Sequence, residues 1–199
     1  MTAEQVLELE EAMAPQWKTV VILGAGAGLR QGEALGVTRD RINFLRRELR
    51  VDRQLMNLPF QAPQLVPVKT RTSVRTIPLP QVVVDVLAGH LAEFPTAGLI
   101  FEPITRQLFS KMWRATVTRA GLPREITHHS LRHYYASPLI RHGESIKTVQ
   151  ERLGHSSAVT TLNTYSHLWP DSDDRTRAAV DEVLRTAADS LRTSRGAKE

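Results

Sequence analysis

The chain has 199 residues, of which 41% are hydrophobic, 24% charged and 6% aromatic, the composition of a globular protein able to bury one sizeable core. It contains no cysteine, which excludes disulfides, thiolate nucleophiles and cysteine-based zinc sites, and it shows neither a signal-type leader nor an apolar run of about 18 residues. The net charge of +5 permits a polyanionic partner, and it is concentrated between residues 30 and 75, where ten basic side chains stand against four acidic ones.

Thr2 and Gln5 form a T-x-x-Q capping box ahead of an apolar stripe of Val6, Leu7, Leu9 and Met13, which predicts a first helix. Pro15 restarts the chain, and Trp17 with Val20 to Leu23 forms a buried run before GAGAGLR. From Ile42 to Leu55 apolar and basic residues alternate, as a strand with one buried and one arginine-rich face would. A second strand pair is expected to flank KTRTS, the polar turn, with Val74 to Leu79 returning. After Pro80 the period becomes helical: Val83, Val84, Val86, Leu87 and Leu91, then Leu108, Met112, Trp113 and Val117. SIKTVQERLG reads as a short helix capped by Ser145 and stopped by Gly154, with His155 following directly. From Asp171 the tail opens on acids suited to a helix N-terminus, continues with Ala178, Val180, Val183 and Leu184, and ends basic and polar. No repeat or low-complexity linker divides the chain, so one domain over residues 1–170 with a helical tail over 171–199 is expected.

Two familiar chemistries fail on their spacing. A dinucleotide fingerprint begun at Gly24 ends on Leu29, and one begun at Gly26 ends on Gln31, so the glycines are read as close helix packing before Arg30. His129 and His133 have the i, i+4 spacing of zinc helices, but HSLRH has no glutamate, and Arg132 would set a fixed cation beside the ion; no metal and no cofactor are expected. A phosphate site suits the residues better. Permanently charged arginines offer bidentate donors to nonbridging oxygens, and histidines, a lysine and a hydroxyl complete the set for phosphoryl transfer. Taken singly each residue also has an ordinary use: Arg30 and Glu33 as an i, i+3 pair, His155 as a cap, Tyr165 as a core aromatic.

In order, GLRQGEAL, VKTRTSVRTIPLP, HSLRHYYAS and LGHSSAVTTLNTYSHL resemble the catalytic domain of the tyrosine recombinases, the phage integrase family. The closing YSHLWPDSDDRTR is similar to integrases of actinobacteria and their phages. The resemblance implies a mainly α fold with a small antiparallel β-sheet near the N-terminal third, and site-specific DNA recombination through a 3′-phosphotyrosyl intermediate. It implies Tyr165 as nucleophile, Arg30 and Arg132 as clamps on the nonbridging oxygens, Lys69 as general acid and His155 as a further oxygen ligand. His129 would assist as a proton acceptor or hydrogen-bond donor near the tyrosine and Glu33 would orient the site, while His128 falls outside the H-x-L-R frame. Basic side chains at Arg39, Arg41, Arg46, Arg53, Arg71 and Arg75 would meet the DNA backbone.

The partners so implied are double-stranded DNA and, on DNA, further copies of the chain in a tetramer joined through the tail, with a monomer expected otherwise. The protein is expected in the cytoplasm, nucleoid-associated when DNA-bound, with no membrane contact. Two departures stand out. Only 29 residues precede Arg30, so the family's separate N-terminal DNA-binding domain is expected to be absent, leaving weak, salt-dependent binding. Pro138 falls within the helix carrying Arg132 and is expected to bend or loosen it. A catalytically impaired remnant, a type IB topoisomerase-like relaxing enzyme and a helical interaction module are the alternatives.

Overall fold

The computed structural model describes residues 1–57, 61–169 and 173–196. Contacts divide the chain into two units, Met1–Ser166 and His167–Glu199. In the first, α1 (Ala3–Ala12) starts at the expected capping box, with Thr2 Oγ1 accepting from the Gln5 amide and the Gln5 side chain accepting from the Thr2 amide. Its buried stripe is Val6, Leu9 and, just beyond, Met13; Leu7 faces solvent instead.

The run after Pro15 forms α2 (Lys18–Ala27), which is buried on nearly every face and is the central helix of the core. Such a helix needs close neighbours, and its glycines supply the room. A Cβ on Gly24 would lie 2.7 Å from Leu131, and one on Gly26 would lie 2.4 Å from Val83. Packing is therefore the purpose of this glycine pattern, as its failed fingerprint implied. Val20, Val21 and Leu23 are fully covered, and each such side chain contributes roughly 1.5–3 kcal/mol by leaving water.

A short α3 (Gln31–Leu35) leads into the strands β1 (Ile42–Asn43), β2 (Glu48–Val51), β3 (Arg53–Met56), β4 (Gln64–Pro67) and β5 (Arg75–Pro78). Two expectations are corrected here. The alternating stretch from Ile42 to Leu55 is three strands, because the chain reverses between Asn43 and Glu48 with Arg47 at φ 52°, and breaks again at Asp52. The strands on either side of KTRTS do not pair with each other. β4 pairs with β3, setting Leu55 opposite Leu65, whereas β5 pairs with β2, setting Leu49 opposite Ile77, so order β1-β2-β5 makes one antiparallel sheet and β3-β4 another. Leu49 and Ile77 face the core from the three-stranded sheet.

Helices α4 (Gln81–Glu93), α5 (Arg106–Arg119), α6 (His128–Arg141), α7 (Ile146–Leu153) and α8 (Ala158–Tyr165) complete the unit. α5 is rotated from its expected face: Leu108 is exposed, and Phe109, Trp113, Thr116 and Val117 are buried. α6 lies against α2 and remains helical through Pro138, which is exposed, so the hydrogen bond that proline cannot make is lost on the side facing water. α7 matches its sequence reading, with Ser145 Oγ accepting from the Thr148 amide and Gly154 in the left-handed conformation at φ 63°. The mainly helical architecture with small antiparallel sheets is thus as the resemblance implied.

The second unit is the helix α9 (Asp173–Gly196), with Val180, Val183 and Leu184 exposed. The start of the tail at Asp171 lies outside the described residues. Among the described residues no helix is long and apolar enough to cross a membrane.

Candidate active site

The site is organised around one helix end. The last carbonyls of α7 have no intrahelical donors and carry the negative end of the helix dipole, so cations are favoured beside them. Three arginines from distant parts of the chain arrive there in register. Arg75 Nε donates to the Arg152 carbonyl at 2.8 Å, Arg132 Nη2 to the Leu153 carbonyl, and Arg30 Nη2 to the Gly154 carbonyl at 2.9 Å. The turn must be glycine at 154, where a Cβ would lie 2.9 Å from Arg75 Nη1 on a backbone already left-handed.

Glu33 ties the same arginines together from the other side. Arg75 grips both of its carboxylate oxygens, at 3.1 and 2.9 Å, while Arg30 donates from its side chain at 2.8 Å and from its backbone amide at 2.9 Å. Burial alone would raise the Glu33 carboxyl, but the hydrogen bond and charge of Arg75, followed by the charge of Arg30, prevail and hold it at about 2. Arg132 is the largest fully buried side chain, and its other contact is the carbonyl of Gly28, at 2.7 Å, where α2 ends in the left-handed conformation. Burial, then repulsion from Arg30, brings its guanidinium down to about 9, so it keeps its charge at neutral pH. Three guanidinium groups against one carboxylate leave an excess of positive charge, the electrostatic condition for seating a phosphate.

Tyr165 is the last residue of α8 and is 2% exposed. Burial raises its hydroxyl pKa, opposed by Arg132. His155, directly after the α7 stop, lies parallel to the tyrosine ring with centroids 6.4 Å apart, and its Nδ1 shares a 2.9 Å hydrogen bond with Thr161 Oγ1. Burial, then the charges of Arg132, Arg30 and Arg75, lowers its pKa to about 4, so the imidazole is neutral. His129 is exposed at the start of α6. Between it and the tyrosine lies His133, which the sequence reading considered only as a metal ligand; its ring centroid is 4.6 Å from His129 and 5.3 Å from Tyr165. The i, i+4 spacing with His129, noticed for zinc, was the signal that could have found it. His128 packs between Phe109 and Trp113 in the core, consistent with its place outside the motif.

The remaining sequence candidates separate. Lys69 is exposed on the loop after β4, outside the buried arginine cluster. Arg46 and Arg71 are exposed, and Arg39 stacks over Phe44 at 4.9 Å. Arg41 and Arg53 both pair with Asp52, as does Arg50. Arg75, expected among the surface cations, instead has a side chain 6% exposed and engaged by Glu33, and so belongs to the buried cluster. Basic side chains that the charge count passed over lie on α5 and after it. Arg106, Arg114 and Arg124, with Arg30 and His129, line a cleft of about 670 Å³ whose walls contain no carboxylate among the described residues.

Comparison with known proteins agrees with this geometry. Residues 1–171 match the model of the phage integrase family. A tyrosine recombinase XerC-like protein of Caldanaerobacter subterraneus is 31% identical over 196 residues, covering 84% of this chain and 50% of that protein. The chain thus spans about half the length of this curated relative. Among solved structures, the Tn1549 transposon integrase in complex with transposon right end DNA superposes with a TM-score of 0.76 at 21% identity, covering 92% of this chain and 65% of that one. The catalytic domain of bacteriophage HP1 integrase gives 0.62 at 21% identity, covering 90% and 92%.

Proposed function

We propose that this chain, which belongs to the phage integrase family, is the catalytic domain of a site-specific recombinase that cuts and rejoins double-stranded DNA through Tyr165. The convergence of Arg30, Arg132 and neutral His155 on the end of α7, beside a buried tyrosine, is the observation that carries this reading. Tyr165 Oη attacks the scissile phosphorus. The Oη–P bond forms as the P–O5′ bond breaks, leaving a 3′-phosphotyrosyl link and a free 5′-hydroxyl. Because one phosphodiester replaces another, bond energy is retained and the reverse step rejoins a strand without ATP.

In this reaction Arg30 and Arg132 meet the nonbridging oxygens, where fixed donors in a dry site contribute most. His155, with Nδ1 engaged by Thr161, turns Nε2 to the same phosphate. Lys69, on its exposed loop, protonates the departing 5′-oxygen when DNA is seated. Glu33 and Arg75 position Arg30 and do not touch the phosphate. The carboxylate-free cleft of Arg106, Arg114 and Arg124 suits the DNA backbone leading to the site, with exposed Arg46 and Arg71 as further contacts. That the Tn1549 integrase was solved on transposon-end DNA supports the same partner here. The exposed apolar residues of α9 suit packing on a second copy in a DNA-bound tetramer, and the protein would act in the cytoplasm, at the nucleoid.

The test incubates the protein with supercoiled plasmid in EDTA without ATP, then quenches with denaturant. DNA-linked protein is expected from the wild type and none from Tyr165→Phe. Joined recombinant products would distinguish a recombinase from a relaxing enzyme. A folded, DNA-binding protein that gives no adduct would overturn the catalytic reading.

A further inference from the structure

The function proposed above needs a group to take the phenolic proton of Tyr165, and the ring geometry identifies one. His133 is half-buried one residue after Arg132, on the turn of α6 that faces the end of α8. Its imidazole meets the tyrosine ring edge-on at 63° and the His129 ring at 85°, so the three rings form a row from the buried tyrosine to the exposed histidine. His155 lies parallel to the tyrosine and has its Nδ1 committed to Thr161. Arg132 cannot accept a proton. His133 is the α6 imidazole in ring contact with the tyrosine, and His129 contacts His133 from the exposed side.

We propose that His133 is the proton acceptor for Tyr165 and that His129 carries the resulting charge toward solvent; this rests on the function proposed above. As Oη bonds to phosphorus its proton passes to an imidazole nitrogen of His133, while the 5′-oxygen leaves with a proton from Lys69. On rejoining, His133 returns its proton to the tyrosine. Catalytic hydrogen bonds are often long without substrate and close when it binds, and ring centroids 5.3 Å apart leave a short approach to make. The groups facing His133 are His129 and Arg132 on its own helix and Tyr165 on α8. Burial, then the charge of Arg132, lowers the pKa of His133, which keeps a free base ready at neutral pH.

The rate of adduct formation on supercoiled plasmid in EDTA tests this, with His133→Phe and His133→Ala beside the wild type. Phenylalanine keeps a ring against Tyr165 but has no proton acceptor, so a packing role alone predicts an unchanged rate. The expected result is a rate lower by on the order of 10²-fold in His133→Phe, with plasmid binding retained. Partial recovery of His133→Ala by added imidazole is expected too. The wild-type rate should fall as pH drops through the lowered pKa of His133, and His133→Phe should lack that inflection. A His133→Phe protein that cuts at the wild-type rate with its acidic limb intact would overturn the inference alone. No adduct from the wild type would overturn the proposed function and this inference with it.

Discussion

Around Asp52 the side chains of Arg41, Arg50 and Arg53 meet one carboxylate near the protein surface, whereas Glu33 meets Arg75 in the interior and the part-exposed Arg30 at its edge, with Arg132 alongside. The chemistry of the two clusters is nearly the same and their surroundings are not. Arg50 is 60% exposed and its partner Asp52 18%, while Arg75 and Glu33 are 6% and 2% exposed. Water screens the first cluster, so its ion pairs contribute little and its net positive charge stays available to a mobile polyanion. In the second Glu33, Arg75 and Arg132 are desolvated while Arg30, 39% exposed, stands at the edge, and the three guanidinium groups donate to one carboxylate and to carbonyls. Burial, rather than arginine count, separates a charged surface from the site proposed to seat a phosphate.

The sharpest way to break this contrast is to remove Glu33. Glu33→Ala leaves Arg75 buried without its partner and should cost about 3–5 kcal/mol in urea unfolding. Acid should act on the same pair. With the folded pKa of Glu33 depressed to about 2 from 4.5, its stabilisation is complete above 4.5 and is lost as pH falls toward 2. The wild-type melting temperature should therefore drop across that window more steeply than that of Glu33→Gln. If both fall in parallel, the interior cluster is no more valuable than the exposed one.

A change outside both clusters calibrates them. Pro138→Leu restores a backbone donor in α6 and should raise stability by up to about 3 kcal/mol, read as a higher melting temperature. An unchanged or lower value would mean that the helix is shaped around its proline. The smallest expected effect belongs to the surface. Asp52→Asn should alter stability by less than about 1 kcal/mol, yet release Arg50 and Arg53 and leave Arg41 to Asp40 alone, tighten non-specific DNA binding and steepen its salt dependence. Large destabilisation there would remove the distinction between the clusters.

Arg30, Arg132, His155 and Tyr165, which the structure brings together, could be singled out from sequence because each stands in a local motif whose spacing survives folding. The α7 helix was legible down to its caps, since Ser145 and Gly154 act through bonds within a few residues. What stayed hidden depends on distant parts of the chain. Arg75 looked like surface charge because its partner Glu33 is 42 positions away. Alternation from Ile42 to Leu55 continued across the reversal at Arg47, a non-glycine residue at positive φ that carries no turn signature. His133 acquired its place only when α8 set Tyr165 beside it.

The three carbonyls at the end of α7 also have a consequence in time. Arg30 and Arg75 leave the ribosome well before residues 152–154, and a growing chain folds roughly from its N-terminus. Until the segment through Gly154 has emerged and wound its last turn, the arginines have Glu33 and the Gly28 carbonyl as partners but lack the carbonyls that gather all three at one place. Tyr165, the proposed nucleophile, comes later still. A nascent fragment thus lacks both the gathered arginines and Tyr165, and on the proposed function the capacity to open a DNA strand would arise together with the means to reseal it.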